Sequence, residues 1–352
     1  MSVHILDAMA REGFEEVLAL HDHVSGLRAF LGIHDTTCGP AFGGIRRWTY
    51  RDEREALQDC LRLARAMTHK CALAELPAGG GKLVVLDRDD IDWERGYDYL
   101  GRVVERLAGR FYTGPDVGTG PEELARMART TGFVTDPGPE GPGELPESTS
   151  EGVFQGIAAA LARLDGEVDW AARTVVVQGL GEVGGRLARR LRGAGARVLA
   201  IEVDAERAER VARELELELL PPSAGLEEPC DVFAPCALGG ILHDLALERL
   251  RCRVVAGAAN NVLARPLHGD RLHERGILYA PDFIVNSGAL IRGTLFHLEG
   301  RREPVRDIGV RIGRILASVL EHAAAEGEPP ARVAVRLAEE RIASWRARAS
   351  AD

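Results

Sequence analysis

Two lysines, Lys70 and Lys82, are the residues whose type and spacing most clearly suggest chemistry in this chain. The sequence contains 44 Lys and Arg residues, and all except these two are Arg. An Arg guanidinium stays protonated in a protein, whereas a buried Lys can lose its proton and act as a base. The alternative explanation is a codon bias towards Arg that spared two lysines by accident. Because both lysines lie in one segment next to the glycines at 79–81, we favour an active site.

Composition and charge exclude several classes of protein. The chain has 352 residues, 45% of them hydrophobic and 28% charged, which predicts a globular protein long enough for two domains. Its net charge of -10 disfavours a nucleic-acid partner, which would need a basic face. The N-terminus becomes acidic too early for a signal peptide, and no apolar run reaches the length of a membrane helix. We therefore expect a cytoplasmic protein with no membrane partner.

The cysteines and histidines do not suggest a metal centre. The six cysteines show no CxxC spacing, so reduced thiols in the core are expected. The ten scattered histidines form no HxxxH or HxxE pair. We predict no bound metal.

The apolar pattern predicts the elements around the two lysines. Apolar residues at helical spacing predict a helix over 53–68, with Lys70 just past its end. A short buried strand is predicted over 83–86, with the glycines at 79–81 forming the turn before it. Helical and strand patterns alternate through this half of the chain, which indicates an α/β layer structure.

Helix start signals and breakers divide the chain further along. A helix is predicted over 93–107, and Pro121, followed by acidic residues, should open another. The Pro- and Gly-rich stretch at 136–148 cannot continue a helix or a strand. We interpret it as the linker between two domains.

The second half carries the pattern of a dinucleotide-binding unit. A β-branched strand at 173–178 leads into GLGEVG at 179–184, then a helix to about Leu191 and a second strand that ends with Glu202 and Asp204. This order is more specific than the glycines alone, which could merely pack a helix on a strand. The glycines let the backbone approach a pyrophosphate at the helix N-terminus, where the helix dipole favours negative charge. Three further strand candidates would complete a parallel sheet: 232–234, 253–256 and 277–280.

Glu202 indicates which dinucleotide is bound. It lies about 18 residues past the last glycine, close to where a carboxylate accepts hydrogen bonds from an adenosine ribose. This position favours NAD over NADP because a 2'-phosphate would meet like charge. Arg207 and Arg210 follow nearby and weigh against that preference.

Eight segments occur in the same order as in a known family. They are GPAFGGIRRWTY, EALQDCLRLARAMTHK, LPAGGGK, GRFYTGPDVGT, RTVVVQGLGEVGGRLA, CDVFAPCALGG, VVAGAANNVL and YAPDFIVNSGALI. From roughly residue 20 to 295 the chain resembles the Glu/Leu/Phe/Val amino acid dehydrogenases, closest to the phenylalanine and leucine branch. Near the C-terminus, RLAEERIA is similar to the helix that folds back on the catalytic domain in that family.

The resemblance implies catalytic and substrate-binding roles at matching positions. Lys70 would hold the substrate carboxylate, together with backbone groups of Gly43 and Gly44. Lys82 would be the general base, made able to lose its proton by burial and a neighbouring positive charge. Asp116 would exchange a proton with the substrate amine or imine, although an Asp before a Gly turn is commonly a turn residue.

The resemblance also implies a set of cofactor contacts. Thr149 would meet the nicotinamide carboxamide, and Asn261 and Asn286 would anchor the nicotinamide side of the site. The other cofactor-binding positions are Gly179, Gly181, Glu182, Val183, Gly184, Glu202 and Ala237. The implied reaction is hydride transfer from the amino acid Cα to NAD, followed by attack of water on the iminium and release of ammonia and a 2-oxo acid.

Substrate preference depends on the residues that would surround the substrate side chain. The glutamate branch has a second Lys where this chain has Phe42, and no third Lys exists here, so glutamate is disfavoured. Gly114 and Leu290 match the phenylalanine branch, and a Gly leaves room for a ring. Phe42 would fill some of that space, although an aromatic pair could also favour a ring, and Met67 completes the substrate-binding set. We favour phenylalanine, with leucine and other branched-chain amino acids as the alternative.

These inferences predict an α/β protein of two domains with the active site in the cleft between them. Residues 1–147 would form the substrate-binding and oligomerisation domain, with a helix at about 330–352 packing back on it, and 148–329 a Rossmann NAD-binding domain. We expect a homo-oligomer. A catalytically silent dinucleotide-binding regulatory protein is the alternative of another class, and the retained lysines argue against it. Arg292 would either extend specificity to a polar or acidic substrate or face the surface.

Overall fold

The structure is a computed structural model that describes residues 5–135, 138 and 140–349, and its strands form two separate sheets. The chain divides into two units. Unit 1 comprises the described residues up to Gly143, Gly293–Arg302, and the described residues from Ala338 onwards. Unit 2 comprises Glu144–Arg292 and Glu303–Leu337. Each unit combines a sheet with helices, which confirms the predicted α/β class.

A mixed five-stranded sheet is the centre of unit 1. Its strands are β1 (Glu16–His21), β2 (Arg28–Asp35), β3 (Ala41–Trp48), β4 (Gly79–Leu86) and β5 (Phe111–Gly114). They lie in the order β1-β2-β4-β3-β5, in which β2 is antiparallel to β1 and β4, and β3 is parallel to β4 and β5. Every residue of the central strand β4 is buried, Lys82 included.

Among the described residues, four helices precede unit 2 in the chain. They are α1 (Ile5–Glu12), α2 (Glu53–Leu73), α3 (Trp93–Arg106) and α4 (Pro121–Met127). The predicted helix at 93–107 and the helix start at Pro121 are confirmed. Asp52 and Asp92 cap α2 and α3, because each carboxylate accepts a hydrogen bond from a backbone N–H in the first turn.

α2 is longer than its apolar pattern predicted. The prediction ended the helix before Lys70, but α2 continues to Leu73 and Lys70 lies in its last turn, so the prediction was wrong. The apolar pattern breaks at Thr68, His69 and Lys70, yet tertiary packing buries all three. The chain leaves the helical conformation at Glu75, which has a left-handed φ of 54°.

The glycines at 79–81 do not form the predicted turn but begin strand β4. A Cβ on Gly79 would lie 1.7 Å from the carbonyl oxygen of Asp35 in β2, and one on Gly80 would lie 2.1 Å from the amide nitrogen of Thr68 in α2. Neighbouring backbones therefore pass too close for a side chain, which is the physical reason for Gly at these positions. This close approach places α2 directly on β4.

A fully parallel six-stranded sheet is the centre of unit 2. Its strands are β6 (Thr174–Gln178), β7 (Arg197–Ile201), β8 (Glu218–Leu219), β9 (Cys230–Pro235), β10 (Cys252–Val255) and β11 (Leu278–Tyr279). They lie in the order β11-β10-β9-β6-β7-β8, so the strand order reverses between β6 and β9. Dinucleotides bind at such a switch point in Rossmann folds. The predicted strands and parallel sheet are confirmed.

The remaining helices begin with the one that opens unit 2. They are α5 (Leu145–Asp165), α6 (Glu182–Ala194), α7 (Ala205–Leu215), α8 (Asp244–Arg249), α9 (Leu267–Glu274), α10 (Asp282–Val285), α11 (Gly288–Glu299), α12 (Val305–Glu326) and α13 (Pro330–Ala349). α11 and α13 contribute residues to both units. Across the described part of the chain, no helix combines the length and apolar character needed to cross a membrane.

The predicted linker at 136–148 is partly helical. Some of its residues lie outside the described part of the chain, but α5 begins at Leu145, which contradicts a linker up to 148. Pro146 is compatible with the helix because the first turn of a helix does not use the N–H that Pro lacks.

The C-terminal part of α13 packs on α2 and β2 within unit 1. The Arg341 guanidinium donates to the carbonyl oxygens of Ala72 at 3.0 Å and Leu73 at 3.3 Å. Arg346 pairs with the buried Asp35 at 2.7 Å. Arg341 thus satisfies carbonyl groups at the C-terminus of α2, where the helix dipole favours a cation.

Candidate active site

Lys82 and Asp116 form a buried ion pair in unit 1. Lys82 lies on β4, and Asp116 lies in the loop that follows β5. The Lys82 Nζ atom is 2.6 Å from Asp116 Oδ2, and the two side chains are only 6% and 11% exposed. Burial alone would raise the pKa of Asp116, but the charges of Lys82 and Arg46 outweigh it and lower that pKa to about 2. Asp116 is therefore ionised at neutral pH.

Arg46 is a second cation on the same carboxylate, and we did not predict it. Its Nε donates to Asp116 Oδ2 at 3.1 Å, the oxygen that Lys82 also contacts, and its Nη1 donates to Asp59 Oδ2 at 3.3 Å. The Tyr50 hydroxyl donates to the same Asp59 oxygen at 2.8 Å. Because the chain contains so many Arg residues, Arg46 does not stand out by its type. Only its position in β3, close after the two glycines, could have indicated it.

The glycines of β3 let the Asp116 loop approach the sheet. A Cβ on Gly44 would lie 2.6 Å from the carbonyl oxygen of Pro115 and 3.0 Å from the Cβ of Asp116. A Cβ on Gly43 would lie 1.8 Å from the carbonyl oxygen of Gly81 in β4. Both glycines predicted to bind substrate therefore lie where a side chain has no room, one against the loop and one against β4.

Helix α2 holds Lys70 and Met67 beside β4. Lys70 is buried, and Met67 lies partly buried one turn before it. The Cys60 thiol donates to the carbonyl oxygen of Lys82 at 3.3 Å, and the Cys71 thiol donates to the first carbonyl of β4 at 3.2 Å. The two lysines therefore belong to elements in direct contact.

Phe42 and Gly114 border an aromatic cluster that we did not predict. Phe42 stacks on Tyr112 with ring centroids 4.7 Å apart, and the His297 ring lies 5.1 Å from that of Tyr112. The Thr135 hydroxyl oxygen is 3.3 Å from His297 Nε2 and would be 3.2 Å from a Cβ on Gly114. Burial lowers the pKa of His297, so its imidazole is neutral at pH 7. The predicted pocket residues are thus next to aromatic rings and two neutral polar groups.

Leu290 and Arg292 lie on α11. Leu290 is partly buried. Arg292 Nη1 donates to the backbone carbonyl oxygen of Glu303 at 2.6 Å, within unit 2. Arg292 is partly buried, and its part in substrate choice stays a prediction.

The glycine-rich turn between β6 and α6 leaves room for an anion. Gly179 has a left-handed φ of 94°, and a Cβ on Gly184 would lie 1.9 Å from the carbonyl oxygen of Gly179. A Cβ on Gly181 would meet nothing within 4 Å, and Gly181, which has no side chain, is the N-cap residue of α6. Ala237 packs against the turn, because its Cβ would be 2.8 Å from a Cβ on Gly179. Two further predicted positions begin α6: the exposed Glu182 and the partly buried Val183.

Glu202 follows β7 and lies beside this turn. Its Oε2 accepts a hydrogen bond from the Leu180 N–H at 2.8 Å, and its Oε1 accepts one from the Val203 N–H at 2.8 Å. Burial alone would raise the pKa of Glu202, but backbone N–H groups and Arg207 lower it. An ionised carboxylate is therefore fixed against the glycine turn, at the position predicted for a ribose contact.

Thr149, Asn261 and Asn286 lie on connected segments of unit 2. The Thr149 hydroxyl accepts a hydrogen bond from the Ala289 N–H at 3.2 Å. Asn286 Nδ2 donates to Oδ1 of Asn260 at 2.9 Å, and the next residue, Asn261, has a left-handed φ of 52°. The structure therefore brings Asn286 to the loop of Asn261 through Asn260, a contact that the sequence did not indicate.

The fold and these two groups of residues define a class: α/β proteins that combine a Rossmann-type unit with a mixed-sheet unit carrying a buried Lys–Asp pair. Comparisons with known proteins agree with this class assignment. Residues 15–132 match the family model described as the Glu/Leu/Phe/Val dehydrogenase dimerisation domain, and 202–299 match that of Glutamate/Leucine/Phenylalanine/Valine dehydrogenase. Residues 175–221 also match the TrkA-N domain.

Individual relatives cover nearly the whole chain. Leucine dehydrogenase of Thermoactinomyces intermedius is 40% identical over 97% of this chain and 94% of the relative. Phenylalanine dehydrogenase of the same organism is 38% identical over 85% and 83%. The crystal structure of L-tryptophan dehydrogenase from Nostoc punctiforme superposes with a TM-score of 0.83 at 36% identity, covering 97% of this chain and 99% of that one. The chain belongs to the Glu/Leu/Phe/Val amino acid dehydrogenase family, which confirms the predicted family and enzyme class.

Proposed function

We propose that the protein catalyses the NAD-dependent oxidative deamination of an apolar L-amino acid, with phenylalanine favoured, to the 2-oxo acid and ammonia, and the reverse reductive amination. The observation that carries the proposal is the buried pair of Lys82 and Asp116, with 2.6 Å between Nζ and Oδ2. Exchange of an amine for a carbonyl group needs a base and a group that exchanges protons, and this pair supplies both. Leucine or valine is the alternative substrate, and relatives of this chain include leucine and valine dehydrogenases.

Lys70 would bind the substrate carboxylate in unit 1. Lys70 is only 9% exposed, so a substrate carboxylate would stabilise the charge of its ammonium group. Gly43 and Gly44 on β3 would add backbone groups. A compact ammonium suits such a confined place better than a planar guanidinium, which gives a physical reason for Lys in a chain that otherwise uses Arg.

Lys82 and Asp116 would move the protons of the reaction. The substrate ammonium must lose a proton before hydride can leave Cα, and the ionised Asp116 carboxylate can accept it. Lys82, in its neutral form after its own proton has passed to solvent, would then take a proton from the water molecule that attacks the same carbon. The 2.6 Å contact between Nζ and Oδ2 is short enough for the two groups to exchange a proton directly.

Unit 2 would bind NAD, which accepts the hydride when bound. The residues present fit this cofactor: Gly181 leaves open space at the N-terminus of α6, where N–H groups and the helix dipole can bind a pyrophosphate. Glu202 would accept hydrogen bonds from the adenosine ribose, and its negative charge would repel a 2'-phosphate, which supports NAD over NADP. Thr149, Asn261 and Asn286 would lie on the nicotinamide side.

The aromatic cluster of unit 1 supports a ring as the substrate side chain. Gly114 leaves free the space that a Cβ would occupy next to Thr135. The stacked pair of Phe42 and Tyr112 lies on the paired strands β3 and β5. An aromatic substrate packed on such a pair gains roughly 0.5–1.5 kcal/mol beyond the burial of its area. Phe42 also takes up space, which is the argument for a smaller branched side chain.

Replacing Gly114 with Ala should shift the preference from phenylalanine towards leucine. The added Cβ would lie 3.2 Å from Thr135 Oγ1, a tight contact with a side chain that takes space without a clash with the backbone. We expect the ratio of kcat/KM for phenylalanine to that for leucine to fall about tenfold. Gly132→Ala is the matched control, since a Cβ there would meet nothing within 4 Å. An unchanged ratio in Gly114→Ala would remove this residue from the pocket.

The direct test of the proposal is the rate at which purified protein reduces the nicotinamide cofactor. L-Phenylalanine, L-leucine, L-valine, L-tryptophan and L-glutamate would be offered in turn, each with NAD and with NADP. A higher kcat/KM for phenylalanine with NAD supports the proposal, and a higher value for leucine or valine selects the alternative. Binding of NADH without turnover of any amino acid would indicate a catalytically silent protein. A preference for NADP would contradict the argument from Glu202.

We also propose that the protein is a homo-oligomer. Residues 15–132 match a dimerisation domain, and oligomers of one chain usually have closed symmetry. Gel filtration coupled to light scattering would measure the mass, and a particle of 38.1 kDa, the mass of one chain, would contradict the proposal. A cytoplasmic location stays a prediction.

A further inference from the structure

Arg46 is a third charged group in direct contact with the Lys82–Asp116 pair. Arg46 Nε and Lys82 Nζ both contact Asp116 Oδ2, at 3.1 Å and 2.6 Å. The Arg46 side chain is 15% exposed, so water screens its charge only weakly. Two cations therefore share one carboxylate oxygen in buried surroundings.

We propose that Arg46 is a positioning residue that offsets the charge of Asp116 and thereby allows Lys82 to release its proton. The inference rests on the proposed function, because it assigns Arg46 a part in that reaction. A carboxylate 2.6 Å from an ammonium group favours the protonated ammonium and so opposes its use as a base. A guanidinium on the same oxygen offsets that negative charge and cannot itself lose a proton.

A second carboxylate holds Arg46 in this position. Arg46 Nη1 donates to Asp59 Oδ2 at 3.3 Å, and the Tyr50 hydroxyl donates to the same oxygen at 2.8 Å. Arg62 contacts the other oxygen of Asp59 at 2.6 Å from a side chain that is 52% exposed. The planar guanidinium of Arg46 thus spans Asp59 and Asp116, which fixes its Nε on Asp116 Oδ2.

The other groups around these three residues leave this balance of charge intact. The titratable and charged side chains that face them come from the segment after β3 and from α2: Tyr50, Asp59, Cys60 and Arg62. Burial raises the pKa of Cys60 to about 12 and also raises the pKa of Tyr50, so both are neutral at pH 7. Asp59 is ionised and is paired with Arg62 as well as with Arg46. Arg46 is thus shared between the carboxylates of Asp59 and Asp116. Asp59 has a second cation in Arg62.

Chemical labelling of the two lysines tests the inference without relying on turnover. Wild-type protein and Arg46→Gln would be acetylated under native conditions across a pH series, and peptide mass spectrometry would give the labelling of Lys82 relative to Lys70. Lys70 is a natural internal reference, because these two are the only lysines in the chain. Without Arg46, Asp116 should hold the proton on Lys82 more strongly, and the ratio at neutral pH should fall about tenfold.

Turnover gives a second readout of the same effect. We expect kcat/KM for the preferred amino acid to fall about tenfold or more in Arg46→Gln, mainly through kcat. The optimum of the pH profile should move to higher pH. Arg46→Lys, which keeps the positive charge without the planar fork, should restore part of both the labelling ratio and kcat.

Arg88→Gln is the matched control, because it removes a cation from the exposed Asp90 and contacts neither Asp116 nor Asp59. It should leave the labelling ratio and kcat/KM unchanged. A folded Arg46→Gln variant with the wild-type labelling ratio would overturn the inference and leave Arg46 a structural role. Arg46→Met keeps the aliphatic stem and replaces Arg46→Gln if that variant does not fold. If wild-type protein turns over no amino acid, the proposed function fails, whereas the labelling ratio still decides whether Arg46 acts on Lys82.

Discussion

The Lys82→Arg variant should lose turnover by about a thousandfold or more while it still binds NADH. A guanidinium can occupy the place of the ammonium and keep a positive charge beside Asp116, so the buried anion stays paired. It cannot be deprotonated, however, and therefore cannot take a proton from water. Steady-state kcat measures the first effect, and titration of NADH fluorescence measures the second, because the proposed dinucleotide contacts all lie in unit 2.

The reverse substitution on an exposed part of the same chain segment is the control for Lys82→Arg. Arg88 follows β4 and pairs with Asp90 from a side chain that is 47% exposed, so Arg88→Lys should change neither kcat nor NADH binding. Circular dichroism and Tm would show that both variants are folded. A Lys82→Arg variant with substantial turnover would exclude Lys82 as the general base. It would also remove the chemical explanation for Lys rather than Arg at these two positions.

The strands of unit 2 could be predicted from the sequence because local patterns determine them. The strand before Gly179, the glycine turn and the strand that ends before Glu202 each carry their signal within a few residues. Parallel strands buried on both faces read as short apolar runs, and the buried part of β9 at 232–234 does so. The right-handed crossover connections of such sheets then limit the possible strand orders.

Unit 1 was harder to predict because tertiary packing overrides its local patterns. The end of α2 is polar in sequence but buried in the structure, so the apolar pattern ended too early. The glycines at 79–81 lie against the backbone of β2 and α2. A single sequence does not reveal those contacts, and three consecutive glycines by themselves predict a turn. A close approach between backbones leaves no mark in a single sequence except the Gly itself.

The contacts of the candidate site are even less visible in the sequence. The resemblance to a family indicated Lys82 and Asp116, but Arg46 and Asp116 are separated by 70 residues, and Thr135 and His297 by 162. No periodicity links residues at such separations. Arg46 was also hidden by composition, since the excess of Arg that makes the two lysines stand out makes each single Arg uninformative. The roles of all these residues in catalysis stay predictions until variants are measured.

The Asp116→Asn variant should lower kcat by about 100- to 1,000-fold and destabilise the protein. The amide has nearly the same shape as the carboxylate but cannot accept a proton from the substrate ammonium group. It also leaves the cations of Lys82 and Arg46 side by side without the anion they share. Removing one partner of a buried ion pair costs roughly 3–5 kcal/mol, so a clear fall in Tm is expected at neutral pH. Steady-state kcat and thermal unfolding measure the two effects separately.

The dependence of that fall in Tm on pH tests whether Asp116 is the ionised partner of Lys82. The pKa of Asp116 is lowered from 3.8 to about 2, because the charges of Lys82 and Arg46 outweigh the effect of burial. A carboxyl group whose pKa is lowered by folding stabilises the protein fully above its unfolded pKa, and this stabilisation is lost as the pH falls through the folded pKa. The Tm difference between wild type and Asp116→Asn should therefore be constant above about pH 4 and shrink towards pH 2. Asp90→Asn, at a side chain that is 66% exposed, should show almost no difference at any pH. A Tm difference that persists unchanged into acid would mean that the loss comes from packing rather than from charge, and would count against an ionised Asp116 as the proton acceptor.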